Sequence, residues 1–548
     1  MRNKGFTLVE LLAVIVILAV ISLIATPMVL GVIEKSKKSA AVESVNGILD
    51  AAEKNMIESM LNGESNTRYD LSIDTSLLYK GEKPESGILL IDDKGKMSIK
   101  AKINGYCVLK TYNESTPKVV DNSICEGNYK ETILNGTDPV LKDKLVPVTI
   151  KDNGEVTYAD TSMEWYDYEN KIWANAVILV DSPSKTYNVG DTIIENDIES
   201  YFVWIPKYSY KLWDLGNYSD SKSELDSNKV HSIDIVFGTN NTLDSNQGEC
   251  TTPLVSGDSG NCVVGDYMTH PAFITMNTTG LWVGKFETGY KGATSASAAQ
   301  VNSADASKII IKPNVYSWRN ITVGNIFTAA YNYERNLDSH MMKNTEWGAV
   351  AYLSHSKYGI NEEVMINNQD ITGYSAKNRP SCVWQGESKE CNAYGESSIS
   401  MEYNTKIGYK ASTTGNITGI YDTSGGFSEY VAGYMEGYLG NSELTEQFVD
   451  SHSKYFDKYK NNSTTASHNN RILGDATGEV GPFSMDYEVR STHVSSWYYD
   501  GASFVASDLS WFNRGNSYSS GILSGIFSVD AYNGSAASWC GFRLVLAP

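Results

Sequence analysis

One long apolar run, followed by an amphipathic pattern, dominates the start of the chain. No charged residue occurs from Leu11 to Ile33, and the acid Glu10 stands just before this run. A helix rises about 1.5 Å per residue, so the run is long enough to cross a hydrocarbon core of roughly 30 Å. An apolar stripe then recurs at three- to four-residue spacing, which predicts one helix over residues 6–63. The stripe comprises Val45, Ile48, Leu49, Ala52 and Met56.

A period of two replaces the helical period further along the chain. The apolar residues Ile88–Ile91 precede an Asp-Asp-Lys-Gly turn, and residues 97–103 then alternate apolar positions with Ser and Lys. This alternation predicts a β-hairpin. We assign it to a small β-sheet head over residues 64–135, on which the apolar stripe of the helix packs.

The rest of the chain shows short apolar runs separated by turn formers. Strand patterns around Val146–Ile150 and Trp173–Val180 place a linking β segment at residues 136–199. Residues 200–548 are rich in Gly, Ser, Asn, Thr and aromatic residues and show no repeat of fixed period. The predicted fold class is therefore α+β, with a large C-terminal domain after the helix and head.

Composition and charge narrow the possible partners. The 548-residue chain has a net charge of −20, which repels phosphate backbones and argues against nucleic acid as a partner. It contains 35 Tyr but only 14 Phe, and tyrosine provides contact area at low entropic cost. A binding surface fits this composition, and so does a large secreted β-rich protein without such a surface.

Six of the seven cysteines fall into close sequence pairs. Local disulfides in an oxidising, extracellular setting are the expected outcome, although the sequence leaves the connectivity open. Cys540 is left over. The pairs are Cys107 with Cys125, Cys250 with Cys262, and Cys382 with Cys391.

The string KGFTLVE at residues 4–10 resembles the processing site of type IV prepilins and type II secretion pseudopilins. The resemblance implies cleavage after Gly5 and N-methylation of Phe6. It also implies that Glu10 pairs with the N-terminal amine of a neighbouring subunit and that Pro27 kinks the helix. An isolated acid is costly in lipid, which fits a role in assembly. An ordinary signal peptide would have a shorter apolar stretch and a small-residue cleavage site beyond it.

This resemblance carries expectations about partners and location. Residues 1–5 would be a leader removed by prepilin peptidase, and the helix would lie in the cell membrane before assembly. The protein would then become extracellular on a pilus-like filament, in contact with other pilin subunits through the N-terminal helix.

Five stretches, in order along residues 200–548, resemble the formylglycine-generating-enzyme branch of the C-type-lectin fold. The resemblance implies a C-type-lectin-like domain. Glu429 and Arg543 are charged residues in apolar surroundings, and we expect them to anchor buried polar networks. The stretches are residues 202–206 (FVWIP), 281–287 (LWVGKFE), 342–347 (MKNTEW), 416–431 (NITGIYD through EYV) and 514–543 (RG, GIF and GFR).

The chain lacks the features that the catalytic branches of this family use. The oxidase branch uses a copper-binding cysteine pair near the C-terminus, where this chain has only Cys540. The sulfoxide synthases use three histidines on iron, whereas the seven histidines here are scattered without ligand spacing. We therefore expect no catalytic residues, no cofactor and no metal site. A pilus-tethered enzyme of the formylglycine-generating type is the alternative.

The C-terminal composition is biased. No Lys, Glu, Gln or Met follows Glu488. This bias resembles ligand-binding domains whose C-terminal positions are diversified by retroelements, because mutated Asn codons cannot encode those residues. Random substitution would also explain an unpaired, exposed Cys540, and chance depletion is the alternative. The predicted ligand-binding residues are Tyr498, Tyr499, Ser517, Tyr518, Tyr532, Asn533 and Ser538.

Together these patterns predict a minor type IV pilin with an adhesin domain. The bulky domain over residues 200–548 would crowd a filament shaft, which favours the tip. The ligand, a protein or a glycan, is not identified by the sequence. A pseudopilin of a type II secretion machine is a further alternative.

Overall fold

The chain folds into two compact units, an N-terminal unit within residues 1–134 and a C-terminal unit within residues 135–548. The N-terminal unit combines one long helix with a small sheet, and the C-terminal unit is a mixed α/β structure made mostly of sheets, with few helices. The computed structural model describes residues 8–62, 68–71, 77–91, 95–110, 115–120, 122, 125, 138–142, 144–161, 165–213, 230–237, 249–250, 265, 267–377, 382–385, 388–391, 399–460, 471–477, 479 and 496–548.

The N-terminal unit pairs one long helix with one small sheet. Helix α1 spans Leu8–Asn62, which confirms the helix predicted from the apolar run. The five strands form an antiparallel sheet in chain order, and β2 and β3 form the predicted hairpin, with Leu89 opposite Ile99. The strands are β1 (Arg68–Asp70), β2 (Ser86–Ile91), β3 (Met97–Ile103), β4 (Tyr106–Lys110) and β5 (Lys118–Val120).

The apolar stripe of α1 forms the core of this unit. Val45, Ile48 and Ala52 are buried against the sheet, and Leu49 and Met56 are partly buried. Burying such side chains contributes roughly 1.5–3 kcal/mol for each large one, and this holds the helix on the sheet. The sheet side of the core comprises Leu89, Ile91, Met97, Ile99, Ala101, Ile103 and Val108.

The C-terminal unit contains the remaining described elements. Its helices are α2 (Pro271–Met276), α3 (Val323–Tyr333), α4 (Asn344–Ser354) and α5 (Glu446–Ser451). Its strands are β6 (Val146–Ile150), β7 (Val156–Tyr158), β8 (Asn175–Leu179), β9 (Thr192–Ile193), β10 (Ile198–Pro206), β11 (Tyr208–Lys211), β12 (Ile235–Phe237), β13 (Glu249–Cys250), β14 (Tyr267–Thr269), β15 (Gly280–Gly284), β16 (Gly289–Tyr290), β17 (Ile309–Ile310), β18 (His340–Met341), β19 (Tyr374–Ala376), β20 (Cys382–Gln385), β21 (Ser388–Cys391), β22 (Ser400–Glu402), β23 (Ser428–Met435), β24 (Asp457–Tyr459), β25 (Trp511–Gly515), β26 (Gly525–Tyr532), β27 (Cys540–Phe542) and β28 (Leu544–Leu546).

The largest sheet of this unit has the order β18-β28-β15-β10-β8-β6-β7-β9. The last strand, β28, therefore lies inside the sheet, with Val545 opposite Val283 of β15. Residues 136–199, interpreted from the sequence as a linking segment, contribute β6 to β9, and β8 pairs with β10. The predicted boundary at residue 200 thus falls within β10, because this strand begins at Ile198 and pairs with β8.

A second sheet carries the C-terminal landmarks. Its order is β24-β23-β25-β26, and β27 pairs with β23. The smaller sheets are β12-β11-β14-β13, β16-β17, β19-β22 and β20-β21. In the last of these, Cys382 lies opposite Cys391.

In the part of the chain that the structure describes, no helix combines the length and the apolar character that crossing a membrane requires.

Candidate functional site

The predicted processing and assembly residues lie at the start of the chain. Gly5 and Phe6 are outside the described residues, and Glu10 and Pro27 lie in α1, where only their backbone is described. Several apolar side chains of this first part of α1 are more than half exposed, as measured within the chain alone. Exposed apolar surface of this kind marks a site of contact with lipid or with other chains. These side chains are Leu8, Leu12, Ile15, Val16 and Ile17.

Glu429 and Arg543, which we expected to anchor buried polar networks, form a buried ion pair with each other in the C-terminal unit. Arg543 donates from Nε to Glu429 Oε2 at 2.9 Å and from Nη2 to Oε1 at 2.5 Å. It also donates to the carbonyl oxygens of Gly284 and Tyr421. Burial raises the pKa of Glu429, and the nearby guanidinium opposes that rise. The pair joins β23, β15 and the C-terminal segment.

Two further carboxyl groups lie close to this pair. Asp422 accepts hydrogen bonds from Asn367 Nδ2 at 2.8 Å and from the Gly373 N–H. Glu287 accepts from Ser317 Oγ at 2.8 Å, and its pKa is raised by burial and by the charge of Glu429. A buried carboxyl group in this setting retains its proton more readily than one in water, which reduces repulsion within the cluster.

Lys285 forms hydrogen bonds that tie residues 136–199, the segment predicted to be a linking β segment, to the rest of the C-terminal unit. Its Nζ donates three hydrogen bonds, to Asn175 Oδ1 at 2.9 Å, to Ile417 O at 2.7 Å and to Gly419 O at 2.8 Å. Burial lowers the pKa of this amine, and the three acceptors match the three protons of an ammonium group. The contact fastens β8 to residues that lie more than a hundred positions later.

A second buried network surrounds Glu479. Its carboxylate accepts from Tyr352 Oη, from Tyr210 Oη at 3.1 Å and from the Gly474 N–H at 2.7 Å. Burial raises the pKa of Glu479 to about 7. His270 bonds to the carbonyl oxygen of Gly474, and burial lowers its pKa to about 3. These groups are scaffold, since every one of them is closed off from solvent by aromatic rings.

The predicted ligand-binding residues differ in exposure. Tyr498, Tyr518, Tyr532 and Asn533 are partly exposed and Ser538 is exposed. Ser517 is buried, and its hydroxyl group lies within hydrogen-bonding distance of those of Ser519 and Ser520. The side chain of Tyr499 lies outside the described atoms.

Tyr498 lies over an aromatic cluster. Its backbone adopts φ 59°, a left-handed conformation that costs energy for a residue other than glycine. Its Oη lies 3.2 Å from His355 Nε2, and its ring stacks on Phe527 with centroids 6.4 Å apart. Burial lowers the pKa of His355 to about 4, so this imidazole is neutral at pH 7.

Tyr518 and Ser538 meet through an arginine. The guanidinium of Arg319 lies 4.3 Å from the centre of the Phe427 ring, and Arg319 Nη1 donates to the Ser538 carbonyl oxygen at 3.0 Å. The Tyr518 ring packs edge-on against the Phe427 ring, with centroids 5.6 Å apart. The backbone N–H of Tyr518 donates to the Gly426 carbonyl oxygen. Two predicted positions 20 residues apart in sequence therefore share one support.

Tyr532 and Trp539 form a second aromatic pair, with ring centroids 4.8 Å apart and both rings partly exposed. Cys540 follows Trp539 and is fully buried beside Tyr430. The expectation of an exposed Cys540 was wrong, because strand β27 turns this thiol into the sheet. Burial raises the pKa of the thiol well above its usual range, which lowers its reactivity.

Sequence reasoning missed the residues that support the exposed tyrosines. Arg319, Phe427, His355 and Phe527 come from separate parts of the chain. Phe427 and Phe527 lie within two of the five stretches that resemble the C-type-lectin fold, whereas Arg319 and His355 lie outside all five.

One of the three predicted cysteine pairs lies among the described side chains. Cys107 and Cys125 form a disulfide, as predicted. The side chains of Cys250, Cys262, Cys382 and Cys391 lie outside the described atoms. Among the side chains that the structure does describe, no group of three or more His, Cys, Asp or Glu is placed to hold a metal ion.

Comparison with known families identifies the N-terminal element. The prokaryotic N-terminal methylation motif matches residues 1–26. No curated protein matches the chain. The N-terminus is therefore type IV pilin-like, and the motif implies processing by prepilin peptidase and assembly with pilins.

Proposed function

On the basis of the N-terminal methylation motif, we propose that the chain is a minor type IV pilin. In this proposal, it lies at a filament tip and displays a ligand-binding adhesin domain. Cleavage after Gly5 would free the amine of Phe6, and Glu10 of one subunit would pair with this amine in its neighbour. The exposed apolar side chains at the start of α1 support this role, since packing against other helices would cover them.

The proposed binding role depends on one observation: in the C-terminal unit, partly exposed tyrosines pack against aromatic side chains that the fold holds in place. Tyr518 and Tyr532 are partly exposed, and each rests on a neighbour that is held by the fold. Rigid tyrosines with a polar tip and an apolar face suit recognition because they lose little entropy on binding. This arrangement supports a binding surface on residues 496–539.

The fold of this unit is proposed to be C-type-lectin-like. The stretches that carry the resemblance meet in space: β15 pairs with β10 and with β28, and Glu429 pairs with Arg543. Residues more than a hundred positions apart are therefore joined as parts of one domain. Diversification of the exposed C-terminal positions remains part of this proposal.

Glu10→Ala tests the assembly role, with wild-type protein expressed at the native level as the control. The variant should be cleaved normally but be largely absent from sheared filaments, because the amine of its neighbour loses its partner. Normal incorporation would contradict the pairing role.

A screen of full-length protein in detergent against a glycan array and against host cells tests the binding role. We expect selective binding to at least one surface. No binding above that of an unrelated pilin would contradict the adhesin assignment.

A further inference from the structure

Asn513 is a buried amide that the fold leaves without a hydrogen-bond partner. It lies on β25 with no exposed surface, and among the described residues neither its Oδ1 nor its Nδ2 has a partner. Leaving a buried polar group unpaired costs roughly 1–3 kcal/mol. An apolar side chain of the same shape would avoid this cost, so the amide indicates a role other than stability.

The strand register places Asn513 beside the aromatic pair described above. Asn513 lies opposite Asp530 on one side and opposite Tyr430 on the other. Two residues along the same strands, Trp511 lies opposite Tyr532. Directly opposed residues of an antiparallel pair project from the same face, so these side chains share one face of the sheet.

Some residues on or next to this face of the sheet are in contact with solvent. Asp530, Tyr532 and Trp539 are partly exposed, and Asp530 Oδ1 accepts a hydrogen bond from the Ala531 N–H at 2.8 Å. On this face Asn513 lies directly opposite Asp530. A ligand group would reach Asn513 once the Tyr532 ring swings outward, and partly exposed side chains make such rotations on a fast timescale.

Charge limits what could bind there. Residues 496–548 contain no Lys, and their two arginines, Arg514 and Arg543, are buried. The nearby Arg319 uses both of its Nη groups on carbonyl oxygens. Among the described residues named here, this surface therefore offers aromatic faces, an amide and a carboxylate, but no free cation for an anionic ligand.

We propose that Asn513, Asp530, Tyr532 and Trp539 form a subsite for the ring of an uncharged saccharide, with no metal involved. The aromatic rings would contact the apolar face of the sugar. The amide donates and accepts and the carboxylate accepts, which suits adjacent hydroxyl groups. The inference rests on the proposed adhesin function and names the ligand class of its surface.

The test uses full-length protein in detergent and an immobilised panel of neutral sugars, namely galactose, mannose, glucose, fucose, N-acetylglucosamine and N-acetylgalactosamine. Sialylated and sulfated sugars form the comparison panel. Wild-type protein should bind at least one neutral sugar, and Asn513→Leu should weaken that binding at least tenfold while raising the melting midpoint. Asp530→Asn should also weaken binding, with the melting midpoint unchanged.

Thr345→Val is the matched control. The hydroxyl group of Thr345 is also buried without a partner among the described residues, but it lies on α4, outside the strands that carry Asn513, Asp530 and Tyr532. This variant should raise the melting midpoint and leave sugar binding unchanged.

Two results would overturn the subsite. One is equal sugar affinity in wild type and Asn513→Leu. The other is wild-type protein that binds no neutral sugar, or that prefers the anionic ones. If the protein still adheres to cells in that second case, the adhesin proposal stands and only the saccharide subsite falls. A lower melting midpoint for Asn513→Leu with unchanged sugar binding would mean that the amide serves the fold.

Discussion

The two units differ in how sequence relates to function. In the N-terminal unit the processing signal is contiguous, over residues 4–10, and the assembly helix follows directly. In the C-terminal unit the buried contacts that hold the fold together join distant positions: Glu429 and Arg543 are 114 residues apart, and the Trp173 N–H and the Thr418 hydroxyl group that accepts from it are 245 residues apart. A local change should therefore abolish the first function without disturbing either fold, whereas the second function should depend on the core.

The largest effect is expected at Gly5, where the processing signal is contiguous. Gly5→Ala should leave the leader uncut, because the peptidase recognises the chain at that bond. Mass spectrometry should then find an intact Met1, whereas extracellular wild-type protein should begin at N-methylated Phe6. Tryptophan fluorescence should be unchanged. Efficient cleavage of the variant would show that the signal extends beyond this glycine.

The next largest effect is expected in the core of the C-terminal unit. Arg543→Leu leaves the Glu429 carboxylate buried without a partner, and breaking a buried pair in this way costs about 3–5 kcal/mol. All eleven tryptophans lie within residues 165–539, so tryptophan fluorescence during denaturation reports on this unit alone. Arg543→Leu should lower the denaturation midpoint of the C-terminal unit.

A solvent-exposed ion pair provides the control for Arg543→Leu. Glu199→Gln breaks the pair with Lys291, whose side chain is 46% exposed, and such surface pairs contribute about 0–1 kcal/mol. Similar destabilisation in both variants would contradict the proposed importance of the buried network.

A smaller effect should appear in the pH dependence of the C-terminal unit. Burial raises the pKa of Glu479 to about 7 in the folded chain, above its ordinary value of 4.5. Between these values the folded state holds a proton that the unfolded state has lost, so stability falls as pH rises through this window. The difference in unfolding free energy between wild type and Glu479→Gln should fall by on the order of 3 kcal/mol from pH 4.5 to 7.

Two buried histidines, His355 and His270, change the stability in the opposite direction, and their contribution must be subtracted. His355 and His270 have pKa values lowered to about 4 and about 3, so the unfolded state takes up protons first as pH falls below about 6.5. Their contribution raises stability with increasing pH, and it is common to wild type and variant. If the unfolding free energies of wild type and Glu479→Gln changed in parallel with pH, the raised pKa assigned to Glu479 would be contradicted.

Local patterns predicted the elements that local forces stabilise. Helix α1, the β2–β3 hairpin, strand β6 and helix α4 all follow from periodicity or from short motifs. The role of residues 136–199 could not be predicted in this way. Whether β8 links domains or joins a sheet is decided by its pairing with β10 and by the three hydrogen bonds of Lys285, which involve distant partners.

The candidate site was predictable only in part. Composition pointed to the C-terminal tyrosines, and Tyr518 and Tyr532 do reach solvent. Composition could not show that Ser517 and Cys540 turn inward, because strand and turn geometry decides the direction of each side chain. It also could not show that Arg319 supports Tyr518, since that contact is formed by the fold.

The central claim is that assembly depends on the N-terminal unit and binding on the C-terminal surface, and the double variant Tyr518→Ala/Tyr532→Ala tests it most directly. Three properties of this variant should be measured: its incorporation into filaments, its melting midpoint followed by tryptophan fluorescence, and its binding to the surface that wild-type protein binds. Tyrosines at such surfaces often contribute more than about 2 kcal/mol to binding. We predict normal filaments, a melting midpoint close to that of wild type and loss of binding. Tyr210→Ala, which removes a fully buried ring, should instead unfold the C-terminal unit at a cost of about 3–5 kcal/mol. A double variant that melts like Tyr210→Ala, or that binds as tightly as wild type, would contradict the account.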